Sequence, residues 1–280
     1  MSTPQAAGTA SGHWLGIEGH VCVITGAAGG IGAEIARELA EAGAAVALLD
    51  RDEPAVKAVA AAIAKTGARA IGVACDVTSE ASVAAAAAGV ARDLGPCRVL
   101  VNNAAAIYAD ALMEVKMEKW NQLMAVNIGG YLLCAQAFGK QMIAAGHGGS
   151  MVHVASLAGH IPQPYSGAYS VSKAGVKMLS GLLAVELGEH RIRSNVVSPA
   201  MVRTPMSEAF YQNAEVLRRR EEIVPAHRIS GPRDIAESVL FLASERSTYV
   251  NGQDILVDGG LTQAWLSLIP RPGFEKKDAV

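Results

Sequence analysis

Short apolar blocks alternate with longer stretches of helical character along most of the chain. The blocks are typical of buried strands, which are predicted at 20–25, 45–50, 70–75, 98–102, 150–155, 192–197 and 254–257. The stretches between them are predicted as helices at 30–43, 53–66, 79–94, 117–145, 168–189, 205–222 and 233–243. Because strands that alternate with helices form βαβ units, the pattern predicts an α/β fold with a mostly parallel sheet covered on both faces.

The same pattern predicts one domain over residues 17–262, since no linker-like segment or repeat divides it. Residues 1–16 are expected to be a flexible lead-in, because their first thirteen positions show neither the basic segment nor the apolar segment of a signal peptide. Residues 263–280 carry two prolines and end in charge. We expect this C-terminal tail to lie on a surface or to reach a neighbouring subunit.

Composition argues against several classes of protein. The 280 residues are 51% apolar and 18% charged, which provides a large core. Mean hydropathy is +0.25, yet no apolar run reaches the roughly 18 residues of a membrane span. The net charge of −2 argues against a nucleic-acid partner. The four cysteines lack a CxxC pair and the histidines lack ligand spacing, so we expect no metal site and a reducing, cytoplasmic location.

A glycine-rich loop joins the first predicted strand to the first predicted helix, and it reads TGAAGGIG from Thr25 to Gly32. Gly26 permits the tight turn, Gly30 lets a diphosphate approach the backbone, and Gly32 lets the helix pack against the strand. The helix N-terminus then offers free N–H groups and the positive end of its dipole to phosphates. This context predicts a dinucleotide site.

The second predicted strand ends at Asp50. A carboxylate in this place accepts hydrogen bonds from the ribose hydroxyls of adenosine and repels a 2′-phosphate. The glycine loop carries no lysine or arginine, and Arg51 only follows the acid. We therefore predict NAD, rather than NADP, as the cofactor.

Three side chains in the second half of the chain indicate acid–base chemistry. Tyr169 and Lys173 are four residues apart on a predicted helix and share one face. The ammonium group of Lys173 stabilises a phenolate, which predicts a lowered pKa for Tyr169 and a role as general base. Ser156 follows a predicted strand, and its hydroxyl is placed to bond the substrate oxygen with which Tyr169 exchanges a proton.

Taken in order, these motifs resemble the short-chain dehydrogenase/reductase family over Ile17 to Leu261. The matching stretches are TGAAGGIG at 25–32, Asp76, NNAA at 102–105, Asn127, Ser156, YSVSK at 169–173, SPAMVRT at 198–204 and VDGG at 257–260. The resemblance implies a single-domain, Rossmann-like, doubly wound parallel sheet of about seven strands with helices on both faces. It also implies a homotetramer, with contacts through the helices at 117–145 and 168–189 and through the last strand.

The resemblance further implies a tetrad of Asn127, Ser156, Tyr169 and Lys173. Tyr169 would be the acid/base, Ser156 would orient the reacting oxygen, Lys173 would bind the nicotinamide ribose, and Asn127 would hold a water in a proton relay. Further implied contacts are Asp76 with the adenine, Asn103 and Ala104 with the adenosine side, and Val202 and Thr204 with the carboxamide. The full set of implied cofactor residues is Thr25, Gly26, Gly29, Gly30, Ile31, Gly32, Asp50, Asp76, Val77, Asn103, Ala104, Ala105, Tyr169, Lys173, Pro199, Val202 and Thr204.

Two positions depart from the family's pattern, because Ala105 and Ala200 stand where glycine is usual. Alanine restricts conformations with positive φ, so these changes bear on how the cofactor is placed.

The implied substrate lid covers about 205–229, and the candidate substrate contacts are Ser156, His160, Gln163, Met206 and Phe210. Their mixed polarity favours a small polar secondary alcohol such as a sugar, a polyol or a hydroxy acid. We therefore expect an NAD-dependent oxidoreductase that interconverts a secondary alcohol and a ketone, or a lactol and a lactone. A 3-oxoacyl-thioester reductase and a non-catalytic dinucleotide-binding scaffold are the two alternatives.

Overall fold

A computed structural model describes residues 14–205, 207–269 and 272–273 of the chain. Within them lie seven strands: β1 (Val21–Thr25), β2 (Ala45–Asp50), β3 (Ala70–Ala74), β4 (Val99–Asn102), β5 (Gly149–Val154), β6 (Ile192–Pro199) and β7 (Asp254–Val257). All are parallel and form one sheet in the order β3-β2-β1-β4-β5-β6-β7. The predicted parallel sheet is confirmed.

Helices connect the strands and cover both faces of the sheet. They are α1 (Gly30–Glu41), α2 (Glu53–Ala64), α3 (Glu80–Asp93), α4 (Met117–Met124), α5 (Gly130–Ala145), α6 (Tyr169–Glu186), α7 (Ala214–Ile223) and α8 (Pro232–Ala243). Within β1, Cys22 and Ile24 belong to a buried cluster with α1, α2 and α8. Val21 and Val23 belong to a second cluster with α3 and α5. This alternation shows why the strand is apolar throughout, since both of its faces are buried.

The helix predicted at 117–145 is interrupted. A π-helical turn, Ala125–Gly129, separates α4 from α5 and contains Asn127. Such turns are rare and occur frequently at functional sites. The helix predicted at 205–222 is also divided, into a 3₁₀ turn at Glu208–Tyr211 and α7. Asn213 begins α7 by accepting hydrogen bonds from the two N–H groups of Glu215 and Val216.

The strand order reverses at β1, which lies between β2 and β4. In open α/β sheets a crevice forms at such a switch point, outside the carboxyl ends of the strands. The loops that leave β1, β4 and β5 at this edge carry several of the predicted site residues.

The described part of the chain lacks two features. None of its helices combines the length and the apolarity needed to cross a membrane. It contains no group of three or more His, Cys, Asp or Glu side chains arranged to hold a metal ion.

Candidate active site

The glycine loop leaves the N-terminus of α1 open. Gly29 is the N-cap residue, and no side chain caps this end of the helix. A Cβ atom at Gly29 would meet nothing within 4 Å, so the backbone borders open space. Gly26 and Gly30 have φ angles of +66° and +56°, in the left-handed region that favours glycine. With half-buried Ile31 beside them, these groups form a cradle that fits a diphosphate.

Close packing fastens this loop to β4. A Cβ atom at Gly32 would lie 2.3 Å from the backbone oxygen of Gly26. Asn103 Nδ2 donates to the backbone oxygens of Thr25 and Gly26, both at 3.0 Å. Thr25 Oγ1 accepts from the N–H groups of Asn103 and Ala104 at 3.0 and 3.1 Å. The amide of Asn103 thus holds the ends of β1 and β4 together, and its predicted adenosine contact stays a prediction.

Asp50, the last residue of β2, and Asp76, after β3, lie at the carboxyl edge of the sheet. Asp50 Oδ2 accepts from the N–H of Ala28 at 3.1 Å, and each carboxylate oxygen keeps capacity to accept another hydrogen bond. Asp76 follows β3 and is exposed. Its Oδ1 accepts from the N–H and the hydroxyl of Thr78, which lowers the pKa of Asp76. Val77, the next residue, is buried.

The π turn brings Asn127 under the candidate site. Its side-chain Oδ1 accepts from the N–H of Ala106 at 2.8 Å, and Nδ2 donates to the backbone oxygen of Ala106 at 3.0 Å. Nδ2 also donates to Ser172 Oγ on α6 at 3.0 Å. Asn127 therefore joins the loop after β4 to α6, the helix that carries Tyr169 and Lys173.

Lys173 is 1% exposed and is held by neutral groups. Its ammonium group donates to the backbone oxygen of Val154 at 2.9 Å and lies 3.4 Å from the hydroxyl of Tyr131. Burial lowers the pKa of Lys173 to about 7. Tyr131, a buried residue whose hydroxyl also donates to the backbone oxygen of Val154, was not among the predicted site residues. The available signal was its place four residues after Asn127.

Tyr169 and Ser156 meet in front of this lysine. Lys173 Nζ lies 5.8 Å from the centre of the Tyr169 ring. Burial raises the pKa of Tyr169, and a hydrogen bond with Ser156 opposes that rise. The lowered pKa predicted for Tyr169 is therefore wrong for this structure, because desolvation of the phenolate outweighs the stabilising contacts. Ser156 Oγ also accepts from the N–H of Ala158 at 3.1 Å.

The segment after β6 returns to the glycine loop. Pro199 ends the strand and is buried, and so is Val202. Thr204 lies over the loop, since a Cβ atom at Gly30 would be 3.7 Å from the Cβ of Thr204. The two departures from the family's pattern cause no backbone strain, because Ala105 and Ala200 are not among the described non-glycine residues with positive φ.

The predicted substrate residues occupy different environments. Both ring nitrogens of His160 contact protein groups: Nε2 lies 2.9 Å from Asp254 and 3.3 Å from Ser198, and Nδ1 lies 2.9 Å from the ammonium group of Lys177. Neither nitrogen is left for a substrate, so the structure does not favour the predicted contact. Gln163 is exposed, Phe210 is 59% exposed, and Met206 lies outside the described residues. The guanidinium group of Arg220 covers the Phe210 ring at 5.4 Å.

Comparison with known proteins shows the family. A family model described as enoyl-(acyl carrier protein) reductase matches residues 26–262. D-threitol dehydrogenase from Mycolicibacterium smegmatis is 37% identical over 88% of this chain and 94% of that protein. Cis-4-hydroxycyclohexanecarboxylate dehydrogenase from Sinomonas cyclohexanicum is 40% identical over 86% of this chain and 96% of that protein.

A solved structure agrees with these relatives. The gluconate 5-dehydrogenase from Burkholderia cenocepacia in complex with NADP and tartrate has a TM-score of 0.85 and 32% identity over 90% of this chain and 98% of that one. The chain belongs to the short-chain dehydrogenase/reductase family, an assignment that its motifs predicted. It is an alcohol oxidoreductase of that family.

Proposed function

We propose that the protein interconverts a secondary alcohol and a ketone, or a lactol and a lactone, on a small polar substrate, with NAD as cofactor. The observation that carries this proposal is the contact of Ser156 with Tyr169 next to Lys173. Lys173 is buried, and its ammonium group is hydrogen-bonded to a neutral backbone oxygen. A phenol, a hydroxyl and an ammonium group in one place suit proton transfer to or from a carbinol oxygen.

The proton chemistry follows from the burial of these groups. The raised pKa keeps the Tyr169 hydroxyl protonated near neutral pH, so it can donate a proton to a ketone that is being reduced. In the direction of oxidation, Tyr169 must first become phenolate. The ammonium form of Lys173 stabilises that anion, and Ser156 donates a hydrogen bond to the reacting oxygen. Asn127 would hold a water that links Lys173 to solvent.

The cradle at Gly29 supports a dinucleotide cofactor, which when bound would accept or supply the hydride. The uncapped N-terminus of α1 would hold its diphosphate, and Asp50 would accept from the adenosine ribose. Val202 and Thr204 would border the carboxamide. Asp50 supports NAD over NADP, although the gluconate 5-dehydrogenase from Burkholderia cenocepacia was crystallised with NADP. The ratio of kcat/KM for the two cofactors tests this choice.

The relatives support a substrate with hydroxyl or carboxylate groups. They include a dehydrogenase of the polyol D-threitol and a dehydrogenase of the hydroxy acid cis-4-hydroxycyclohexanecarboxylate. Of the predicted substrate contacts, we retain Ser156, Gln163, Met206 and Phe210 and leave out His160. The segment at 205–229 is retained as the lid. The two ends of this segment lie side by side, because the N–H of Arg203, just before it, donates to the backbone oxygen of Ser230, just after it.

Reduction of a 3-oxoacyl thioester is the second candidate, because the matching family model is described as enoyl-(acyl carrier protein) reductase, a reductase that also acts on an acyl thioester. An acyl thioester is longer and more apolar than a polyol. The two candidates are separated by which substrate class gives turnover.

The experiment is a panel of sugars, polyols, hydroxy acids and 3-hydroxyacyl thioesters, offered with NAD and followed by NADH absorbance. Tyr169→Phe is the matched blank, because it removes one oxygen and should keep NADH binding while activity falls by roughly 10²-fold or more. Turnover on the polar alcohols that vanishes in Tyr169→Phe supports the proposal. Full activity in the variant refutes the role of Tyr169. No turnover on any class, with NADH still bound, favours the scaffold alternative.

We further propose a cytoplasmic homotetramer that contacts through α5 and α6. The support is a row of exposed apolar side chains on α6, namely Val171, Met178, Leu182 and Val185. Monomeric proteins rarely expose a large apolar patch, so a partner surface suits this face. Light scattering at the mass of one chain would reject the tetramer.

A further inference from the structure

A cavity of about 580 Å³ opens at the edge of the sheet opposite the candidate active site. The residues that enter the strands line it: His20 precedes β1, Arg98 precedes β4, and Gly149 and Ile192 begin β5 and β6. Its volume is in the range of pockets that hold small molecules. No part of the proposed reaction uses it.

Arg98 and Arg191, which line this cavity, are fixed by backbone oxygens at the end of α5. Arg98 Nη1 donates to the backbone oxygens of His147 and Gly148. Arg191 Nη2 donates to the backbone oxygen of Gly146 at 2.7 Å. Contact with the negative end of a helix dipole explains part of their placement. Each guanidinium group carries five N–H donors, so both keep donors that these bonds do not use.

Arg193, also in the lining, is fixed in the same way at the end of α8. Its Nη2 donates to the backbone oxygens of Leu242 and Ser244 at 2.9 and 3.1 Å, and its Nη1 donates to that of Val250 at 3.2 Å. Burial and then the charge of Arg98 lower the pKa of Arg193, so the two cations lie close enough to repel. Three guanidinium groups therefore converge on one cavity.

Among the described residues, no carboxylate forms an ion pair with these three charges. Across the described residues, none of them lies within 4.0 Å of an Asp or Glu oxygen. Seven other arginines are paired with carboxylates, namely Arg37, Arg92, Arg203, Arg218, Arg219, Arg228 and Arg233. Glu245 is the one acid among the described residues that line the cavity. The cavity thus keeps a positive excess although the chain as a whole is negative.

One ring nitrogen in the lining has unused capacity for a hydrogen bond. His20 Nδ1 is buried and has no hydrogen-bond partner in the described structure. Buried polar atoms of this kind are normally satisfied, so a ligand or a water is expected at such an atom.

We propose that this cavity binds a small organic anion through carboxylate or phosphate oxygens, held by the guanidinium groups of Arg98, Arg191 and Arg193. A planar guanidinium group matches both kinds of oxygen pair with two parallel hydrogen bonds. The site is separate from the cofactor cradle, because the two open on opposite edges of the sheet.

Isothermal titration calorimetry on the whole protein tests the proposal, with citrate and inorganic pyrophosphate as probes at constant ionic strength. The variants are Arg98→Gln and Arg191→Gln, each with a circular dichroism spectrum and a melting curve to confirm the fold. Arg191 is exposed, so its variant is the one least prone to misfold. The matched control is Arg69→Gln, because Arg69 also donates to a backbone oxygen at a helix end, that of Leu94, but lies outside the cavity.

We expect one probe molecule per chain, with an affinity that falls by roughly tenfold or more in both cavity variants, as for loss of a charged hydrogen bond. Arg69→Gln should bind like the native protein. Saturation by citrate alone assigns a carboxylate ligand, and saturation by pyrophosphate alone assigns a phosphate ligand. Absence of saturable heat overturns the proposal. The proposal is also overturned if NADH displaces the probe and the cavity variants bind it as the native protein does, because the probe then occupies the glycine loop.

Discussion

Replacing Lys173 by methionine should remove a rise in stability with pH that the native protein owes to this side chain. The ammonium group of Lys173 is buried against a backbone oxygen and a phenol hydroxyl. Burial lowers its pKa from 10.5 to about 7. Methionine fills a similar volume without a titrating group, so the variant isolates the effect of the charge.

The sign and size follow from proton linkage. In the unfolded chain the ammonium group returns to water and its ordinary pKa. Between pH 7 and about pH 10 the unfolded chain therefore holds a proton that the native protein has lost, and stability rises with pH in that window. Below it both states are charged, and above it both are neutral. A full slope is about 1.36 kcal/mol per pH unit, and half-titration at pH 7 leaves a gain of about 2 kcal/mol by pH 9.

The assay is urea unfolding of both proteins at about pH 7 and about pH 9. The change in the free energy of unfolding between the two pH values is measured for each protein, and the two changes are compared. Burial raises the pKa of Cys22 to about 12 and of Cys75 to about 11, which lowers stability as pH rises. Both proteins contain these thiols, so their contributions to the pH dependence cancel in the comparison. Lys57→Met, at a side chain that is 60% exposed, controls for loss of an ammonium group. Equal pH dependence in the native protein and Lys173→Met would refute the burial argument.

Three further substitutions, two of them with a comparison variant, test the packing and the charges of the protein. Gly32→Ala should lower the free energy of unfolding by roughly 1–3 kcal/mol, because its Cβ would lie 2.3 Å from a backbone oxygen. Gly181→Ala in α6, whose Cβ would meet nothing within 4 Å, should instead raise it by about 1 kcal/mol; urea unfolding measures both, and a stable Gly32→Ala would contradict the close approach. Asp50→Asn should lower the ratio of kcat/KM for NAD over NADP, and an unchanged ratio would remove Asp50 from cofactor selection. His160→Leu should lower the free energy of unfolding by roughly 1–3 kcal/mol, because it removes the ring nitrogen that lies 2.9 Å from the buried carboxylate of Asp254 and leaves that carboxylate with Lys177 at 3.6 Å. His160→Gln should recover part of that loss. An unchanged free energy of unfolding in His160→Leu would show that the contact with Asp254 is dispensable.

The polar and glycine residues at the carboxyl edge of the sheet could be predicted because each signal is local in sequence. An apolar block, a glycine string and a helix signal together define the turn from Thr25 to Gly32. Parallel strands then bring Asp50, Asn103 and Ser156 to the same edge without any further information. The spacing of Tyr169 and Lys173 adds a shared helix face. The family assignment rests on motifs of this kind, and the comparisons confirm it.

The π turn at Ala125–Gly129 could not be predicted from the local pattern. The apolar spacing continues through it, which predicts one helix over 117–145. What accompanies the turn is the side chain of Asn127, which bonds to Ala106 and to Ser172. These partners are 21 and 45 residues away in sequence. Contacts between distant segments overrode the local preference.

The pKa of Tyr169 shows a second limit of sequence reasoning. A neighbouring lysine is visible in the sequence and predicts a lowered value. Burial is not visible there, and in the structure it raises the pKa of Tyr169 and lowers that of Lys173. His160 shows the same limit, since its contact with Asp254 depends on the pairing of β6 with β7 and on where the loop after Ser156 lies.

The neutral surroundings of Lys173 decide how the site can work. Its nearest partners are the oxygens of Val154 and Tyr131, and no carboxylate within the described residues pairs with it. A carboxylate would raise the pKa of Lys173 and keep the ammonium group charged at every physiological pH. With neutral partners its pKa stays near 7, so its protonation can respond when Tyr169 gains or loses charge. The burial that lowers the stability of the protein is therefore also what gives Lys173 its proposed role. Lys173→Met, which removes the buried charge, should gain stability near pH 7 and lose activity.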